Sequence, residues 1–250
     1  MEIIPGVHAV PSIRWSRIYL IEDDTLALVD TGLPWSAQRV FNYIESIGRK
    51  PEQLDTILMT HGHPGHTSGA LTIIKRTGAE IIAHAGDTRA HSDGETSLSY
   101  MGMGSSFRAP LPSLRRTPVS NHVSDGQVLP LLGGIKVIHT PGHTPGSVCY
   151  LLENKGLLFS GDTAFSDGKR ISRSVPFPGY SKPNYKNSLE RLATLEFDTL
   201  CGGHGVPLVG GASDKLKKLL FAKPEPPSWW GFFKSMPRRV LKSRSMSGEF

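Results

Sequence analysis

Three histidines stand within six residues in the segment THGHPGH, as His61, His63 and His66. The segment follows an apolar run at residues 56–59 that predicts a β-strand. Alternate residues at the end of a strand point in the same direction, so His61 and His63 can reach one metal ion and His66 a neighbouring position. Because imidazole is the commonest metal-binding side chain, the fold is expected to bring further ligands to the end of this strand.

Three further side chains with ligand atoms stand on glycine-rich turns beside predicted strands. His143 lies in TPGHTPGS, Asp162 in Gly-Asp-Thr and His204 in Gly-Gly-His-Gly. Glycine allows a tight turn and a close approach of the backbone. One such turn alone is a weak signal. Together, and in this chain order, the turns predict a metal centre that collects these side chains around the three histidines.

Apolar runs and turn residues predict two groups of strands interleaved with helices, which is typical of two sheets covered by helices. Segments 85–123 and 165–183 lack periodicity and are predicted to be irregular, the first as a mobile lid at the substrate entrance. Strands are predicted at 18–21, 26–29, 56–59, 80–83, 127–132, 135–139, 148–152, 157–160 and 199–201, and helices at 34–47, 66–76, 185–195 and 214–221.

The charge of the chain is concentrated in its last part. The 250 residues carry a net charge of +6, and much of it follows residue 222, so a nucleic-acid-binding surface is not predicted. We divide the chain into a domain at 1–222 and a basic aromatic tail at 223–250. The favoured interpretation is that the tail aromatics pack on the domain or on a second copy in a homodimer. A helix on a membrane surface is the alternative.

The composition also predicts the compartment. The first residues, MEIIPGVHAV, have no basic region before an apolar run, so no signal peptide is predicted. No stretch approaches the ~18 apolar residues that a membrane span needs. The only cysteines are Cys149 and Cys201, which argues against a disulfide-rich secreted protein. We therefore expect a reduced, cytoplasmic protein whose partner is a small-molecule substrate.

The order of the motifs resembles that of the metallo-β-lactamase superfamily. The resemblance rests on Asp-Thr-Gly at Asp30, on THGHPGH, on TPGHTPGS, on Gly-Asp-Thr and on Gly-His-Gly, and it extends over about residues 7–220. The TPGHTPGS segment is most similar to the glyoxalase II and lactonase branch. The resemblance implies an α/β fold: an αββα sandwich of two mixed β-sheets, with helices on the outer faces and a metal site at one edge.

The resemblance also implies which residues hold metal. It assigns one or two zinc ions, with iron or manganese as the alternative metals, to these ligands: His61, His63 and His143 for the first ion, His66 and His204 for the second, and Asp162 as the bridge. Asp30 would orient a ligand histidine from outside the coordination sphere. Asp162 and Asp30 are therefore the predicted catalytic carboxylates.

One position departs from the superfamily. The aspartate that relatives carry between the second and third histidines falls at Gly65. The second ion then keeps only His66, His204 and Asp162, and the loss of an anionic oxygen should weaken its site. A mononuclear enzyme, a carboxylate supplied from elsewhere and an inactive relative all remain open.

The implied activity is hydrolysis of an ester, thioester or lactone bond in a small molecule by a metal-bound hydroxide. Two alternatives are a mononuclear iron sulfur dioxygenase, for which His61, His143 and Asp162 would suffice, and a binding protein that kept the fold and lost the chemistry.

The region after Asp162 is expected to contact the substrate, as it does in relatives. Arg173, Tyr180 and Lys182 are candidates to bind an acidic leaving group, and charges solvated on a loop are the alternative interpretation.

Overall fold

Four layers are stacked in the order helix, sheet, sheet, helix in the computed structural model, which describes residues 1–11, 13, 16–98 and 117–222. Three apolar clusters fill the interfaces between these layers. One lies between the first sheet and its helices, one between the two sheets, and one between the second sheet and its helices. The architecture is the predicted αββα sandwich of the α/β class.

The first sheet is mixed, with an antiparallel half and a parallel half. Its strands are, in spatial order, β1 (Glu2–Ile4), β2 (Val7–Ala9), β3 (Tyr19–Glu22), β4 (Leu26–Val29), β5 (Leu54–Leu58), β6 (Glu80–His84) and β9 (Asn121–Val123). The parallel half runs from β4 to β9. The carboxyl ends of β4, β5 and β6 therefore meet at one edge of the sheet.

The second sheet is also mixed. Its strands are, in spatial order, β10 (Val128–Leu129), β11 (Ile135–His139), β12 (Val148–Leu152), β13 (Leu157–Gly161), β16 (Thr199–Gly202) and β18 (Leu208–Val209). Strands β13 and β16 are parallel neighbours, so their carboxyl ends also lie together. Two small sheets join β7 (Thr88–Ala90) to β8 (Thr96–Leu98), and β15 (Ile171–Arg173) to β14 (Ala164–Asp167) and β17 (Gly205–Val206).

Helices cover the outer face of each sheet. Helices α1 (Ala37–Ser46) and α3 (Ala70–Thr77) pack on the first sheet, α4 (Lys182–Leu192) and α5 (Ala212–Phe221) pack on the second, and the single turn α2 (Pro64–Thr67) carries His66. Helix α3 ends at Gly78, whose φ of 73° is the left-handed conformation that glycine adopts without a steric cost.

Alternation along the inner strands explains why both faces of each sheet are apolar. In β12, Val148, Tyr150 and Leu152 face the interface between the sheets, whereas Cys149 and Leu151 face the helices. Successive side chains of a strand point to opposite faces, so a run of apolar residues buries both.

Three expectations about elements need correction. The helix predicted at 66–76 is two helices, and between them the Gly69 N–H donates to the Gly32 carbonyl oxygen at 3.0 Å and not to the helix. Gly69 also lies against the backbone of Thr31, where a Cβ would come within 2.3 Å of the Thr31 carbonyl oxygen. Segment 165–183, predicted to be irregular, contains most of β14 and all of β15. Segment 85–123, also predicted to be irregular, contains β7, β8 and β9.

The proposed tail at 223–250 lies outside the described residues, and so do residues 99–116 of the predicted lid. Among the described helices, none is long and apolar enough to cross a bilayer.

Candidate metal centre

The candidate ligands collect at the edge where strands of both sheets end. His61, His63 and His66 follow β5 in the first sheet. His143 lies between β11 and β12 in the second sheet, and Asp162 and His204 follow β13 and β16. The structure thus places all six predicted ligands together.

Site one is formed by His61, His63 and His143, whose ligand atoms all lie within 4.8 Å of one another. His63 Nδ1 and His143 Nε2 are 2.9 Å apart. The three imidazoles are buried, with at most 6% of any residue exposed. Three nitrogen donors that converge in this way match the ligand set of a catalytic zinc site, which keeps a further position for water or substrate.

Site two is formed by His66, Asp162 and His204, which meet the same distance limit. His66 Nε2 lies 3.3 Å from His204 Nε2 and 3.4 Å from Asp162 Oδ1. The other carboxylate oxygen, Asp162 Oδ2, is 3.3 Å from His204 Nε2 and also 3.3 Å from His143 Nε2. Asp162 therefore lies between the two sites, in the position that a bridging ligand would occupy.

Hydrogen bonds fix the orientation of the site one histidines. His63 Nε2 donates to the Pro178 carbonyl oxygen at 3.2 Å, and His143 Nδ1 bonds to Ser174 Oγ at 2.9 Å. His61 Nδ1 lies 3.0 Å from Thr60 Oγ1. Since each ring uses one nitrogen outward, the other nitrogen is left as a lone-pair donor toward the centre.

Asp30 fixes the orientation of His66 in site two. Its Oδ2 accepts from His66 Nδ1 at 2.8 Å and from Thr60 Oγ1 at 2.8 Å, while Oδ1 accepts from Thr60 N at 2.9 Å. Asp30 holds a φ of 61°, a left-handed conformation that is unfavourable for residues other than glycine. Because its oxygens are occupied by these bonds, Asp30 orients ligands and is not one of them, although His61 and His66 are close to it.

Three buried polar side-chain atoms have no hydrogen-bond partner among the described residues, and two of them, His61 Nε2 and Asp162 Oδ1, belong to the centre. The third, His8 Nε2, lies 3.3 Å from Glu22 Oε2. Buried polar atoms are nearly always paired, because an unpaired one has lost its hydration without replacement. Both atoms of the centre lie close to the other ligands. The donor set and its orphaned atoms therefore fit divalent metal ions.

Burial keeps the site one imidazoles in the neutral form that binds metal. It lowers the pKa of His61 well below its usual value and lowers the pKa of His143 to about 3. Burial alone would raise the pKa of Asp162, but the neighbouring His204, His66 and His61 outweigh it and hold that pKa well below the usual range. Site one thus presents neutral nitrogens beside an ionised carboxylate. In site two, burial would lower the pKa of His66, but Asp162 and Asp30 outweigh it and raise that pKa above its usual value.

Gly203 leaves the space that site two needs. A Cβ built at this position would lie 2.3 Å from Asp162 Oδ1 and 2.8 Å from His66 Cε1. Any other residue would displace one of these ligands. The glycine before His204 is therefore a requirement of the site.

The sequence did not reveal several residues that support the ligands. Ser174, Thr60 and Asp87 bind ligand side chains or their loops, and Tyr185 fixes Ser174 in turn by accepting from its N–H at 2.7 Å. Thr60 stands next to His61 in the segment THGHPGH, but its hydroxyl gave no sign of a supporting role. Asp87, Ser174 and Tyr185 carry no spacing signal, because the chain brings them to the centre only through tertiary structure.

Two aromatic rings lie at the ends of the centre. The Phe177 ring stands edge to face with His63 at 5.1 Å between centroids, and Phe165 does so with His204, also at 5.1 Å. Phe177 is 42% exposed, so this end of the centre offers an apolar surface to a ligand.

The three substrate-binding candidates lie in different settings. Arg173 donates to the carbonyl oxygens of Leu219 and Ala222 at the end of α5. Tyr180 is half-buried beside Tyr185, and Lys182 is an exposed residue in the first turn of α4. Of these three candidates, Arg173 already uses its guanidinium in hydrogen bonds to carbonyl oxygens of the protein.

Comparison with known proteins decides the family. The model of the metallo-beta-lactamase superfamily matches residues 16–204, which include all six ligands. The chain belongs to the metallo-beta-lactamase superfamily. The Probable metallo-hydrolase YflN of Bacillus subtilis (strain 168) is 27% identical over 233 residues, covering 84% of this chain and 87% of that protein.

Some relatives carry a more specific description, but the chain matches only part of their length. A hydroxyacylglutathione hydrolase of Rhodospirillum rubrum is 34% identical over 203 residues, covering 78% of this chain and 65% of that enzyme. A metallo-beta-lactamase family protein from Thermus thermophilus superposes with a TM-score of 0.67 at 22% identity, covering 88% of this chain and 80% of that one. At this identity the superposition supports the superfamily fold alone.

Proposed function

We propose that this member of the metallo-beta-lactamase superfamily is a zinc-dependent hydrolase of a small ester, thioester or lactone. The observation that carries the proposal is the pair of adjacent sites, each with three donor side chains. The buried carboxylate of Asp162 lies between them. The hydroxyacylglutathione hydrolase relatives favour a thioester substrate. A divalent ion held there supplies an activated water and polarises the carbonyl group to be attacked.

The chain's own residues prepare the site for that chemistry. Asp162 is ionised, and its Oδ2 lies within 3.3 Å of a nitrogen from each site, so the carboxylate holds the two sites at a fixed separation. Asp30 and Ser174 keep the imidazoles from rotating. Because the polar groups are already in place, little reorganisation is needed as charge develops on the substrate oxygen. Phe177 offers an apolar surface to the acyl group beside His63.

The experiment combines metal analysis with a substrate panel. Protein purified without chelator is expected to hold at least ~0.5 zinc per chain and to hydrolyse a thioester, an ester or a lactone. The double variant His61→Ala, His143→Ala should lose both properties. His122→Ala, which changes an exposed histidine of β9, serves as the control and should keep both.

Each outcome separates the hydrolase from its alternatives. Iron as the bound metal, with oxygen consumed in the presence of a persulfide, would replace the proposal by the sulfur dioxygenase. Stoichiometric zinc without turnover of any substrate class would favour the binding protein. Unchanged metal content in the double variant would refute the assignment of site one.

A further inference from the structure

We propose that Asp87 is a positioning residue that holds the two ligand-bearing loops of site one together and thereby sets the metal affinity of that site. Asp87 does not touch the metal position. It ends the single helical turn Ala85–Asp87 after β6, and it is 1% exposed. The inference rests on the metal centre described above and adds a residue that no sequence motif contains.

The carboxylate of Asp87 accepts three hydrogen bonds. Oδ2 accepts from Gly62 N at 2.7 Å and from Thr144 Oγ1 at 2.6 Å, and Oδ1 accepts from Gly146 N at 2.7 Å. Hydrogen bonds to an ionised acceptor are short and stronger than those between neutral groups. A buried carboxylate with this many donors is held firmly and holds its donors in turn.

The three donors come from the two loops that carry site one. Gly62 lies between His61 and His63, on the first sheet, and Thr144 follows His143, on the second sheet. Asp87 therefore connects the loops directly across the interface between the sheets. Its bonds fix the backbone on which all three imidazoles are mounted.

Backbone packing makes this connection tight. A Cβ at Gly146 would lie 2.4 Å from Asp87 N, and a Cβ at Gly86 would lie 2.9 Å from the Gly146 Cα. The turn before Asp87 and the loop after His143 are thus in direct contact, with no room for a side chain between them. A carboxyl group placed by such contacts cannot move far from its donors.

The charge of Asp87 favours site one as well. The ligands of that site are three neutral imidazoles, so a bound cation gains from a buried anion close by. The donors bound by Asp87 adjoin His61, His63 and His143, whereas His66 of site two is oriented by Asp30. Asp87 is therefore expected to act on one site and to spare the other.

The test measures zinc affinity in two single-site backgrounds. His204→Ala removes a ligand of site two and reports on site one, and His63→Ala does the reverse. We expect Asp87→Asn to weaken zinc binding by ~10–100-fold in the His204→Ala background, the effect typical of lost supporting partners. In the His63→Ala background the affinity should stay unchanged. Competition with a chromophoric chelator gives both dissociation constants without an activity assay.

Two further variants separate positioning from general stability. Asp23→Asn removes a carboxylate that accepts from Leu132 N at 2.7 Å, away from the metal centre, and should leave both affinities unchanged. Thr144→Val removes one of the three donors of Asp87 while its carboxylate stays. It should weaken site one in the same direction and by less.

The melting temperature of each metal-free variant shows whether it folds. A folded Asp87→Asn variant with unaltered site one affinity would overturn the proposal, and so would an equal loss in both backgrounds. If Asp87→Asn does not fold, Thr144→Val decides in the same way. Failure of the His204→Ala background itself to bind zinc, with Asp87 intact, would refute site one and the proposed function together with this inference.

Discussion

Gly65 is the position at which a single residue departs from the superfamily resemblance, and the structure shows its conformation. Gly65 lies in the single turn α2, next to His66, and its φ is not positive. The backbone therefore accepts a side chain here without the strain of a left-handed conformation. Ser16 Oγ donates to its carbonyl oxygen at 2.5 Å, which fixes the turn.

We expect wild-type protein to bind its second zinc at least ~10-fold more weakly than its first, and Gly65→Asp to narrow this gap. The reason is that aspartate would restore an anionic oxygen to a site that has two imidazoles and a shared carboxylate. Calorimetric zinc titration measures both affinities. Gly65→Asn is the matched control for charge and should change them less. Two ions of similar affinity in the wild type would contradict the prediction and indicate another ligand.

Gly203→Ala should remove site two while site one remains. The added Cβ would overlap Asp162 Oδ1 and His66 Cε1, so at least one ligand must move. Overpacking of this kind also costs stability, about 1–3 kcal/mol. Zinc stoichiometry is expected to fall to about one per chain, measured together with the melting temperature. Retention of a second ion at wild-type affinity would show that the neighbours can adapt.

At the scale of elements, helix α4 acts on the centre through Tyr185. Its hydroxyl donates to the Thr163 carbonyl oxygen at 2.7 Å and accepts from Ser174 N, also at 2.7 Å. Ser174 bonds in turn to His143. The helix thus supports a ligand of site one although it carries no ligand itself.

Tyr185→Phe is predicted to destabilise the fold by at least about 2 kcal/mol and to weaken site one. The substitution leaves a buried carbonyl and a buried N–H without their partner, and each such loss costs about 1–3 kcal/mol. Chemical denaturation measures the change in the free energy of unfolding, and zinc titration measures the affinity of site one. Tyr180→Phe, a half-buried neighbour 5.3 Å away between ring centroids, is the control with a smaller expected effect. Equal destabilisation by both variants would count against the role of Tyr185.

The elements differ in how well the sequence predicts them. Strands such as β11 and β12 have the predicted bounds, because their apolar runs are bordered by turn residues. The break between α2 and α3 could not be predicted, since the Gly69 N–H bonds there to the Gly32 carbonyl oxygen, a contact that forms only in the folded chain. The metal ligands could be predicted from the sequence because histidines on glycine-rich turns are rare. The supporting residues Asp87, Ser174 and Tyr185 could not be predicted, because they are common residue types whose roles arise only from tertiary contacts.

At the scale of the whole molecule, the metal centre joins the two sheets. His61 and His63 come from the first sheet, whereas His143, Asp162 and His204 come from the second. A metal bound only by the folded chain stabilises it by mass action, about 4 kcal/mol when its concentration is ~1,000 times the dissociation constant. The centre should therefore contribute to the stability of the sandwich as a whole.

Removal of metal with a chelator is predicted to lower the melting temperature by roughly 10 °C, since ~1 kcal/mol corresponds to about 2–4 °C in a domain of this size. Added zinc should restore it. The double variant His61→Ala, His143→Ala is the control and should respond much less to chelator. An unchanged melting temperature of the wild type after verified metal removal would mean that the sheets hold together without the centre.

Asp30 gives the two sites a common anchor. One of its oxygens accepts from His66 and from the Thr60 hydroxyl, and that hydroxyl bonds to His61. An ion in either site acts on a histidine that this anchor holds, so occupancy of one site is expected to change the affinity of the other. Two divalent cations beside one shared carboxylate also repel each other, which opposes binding of the second ion. Thermodynamic linkage requires each ion to change the affinity for the other by the same factor, whichever binds first.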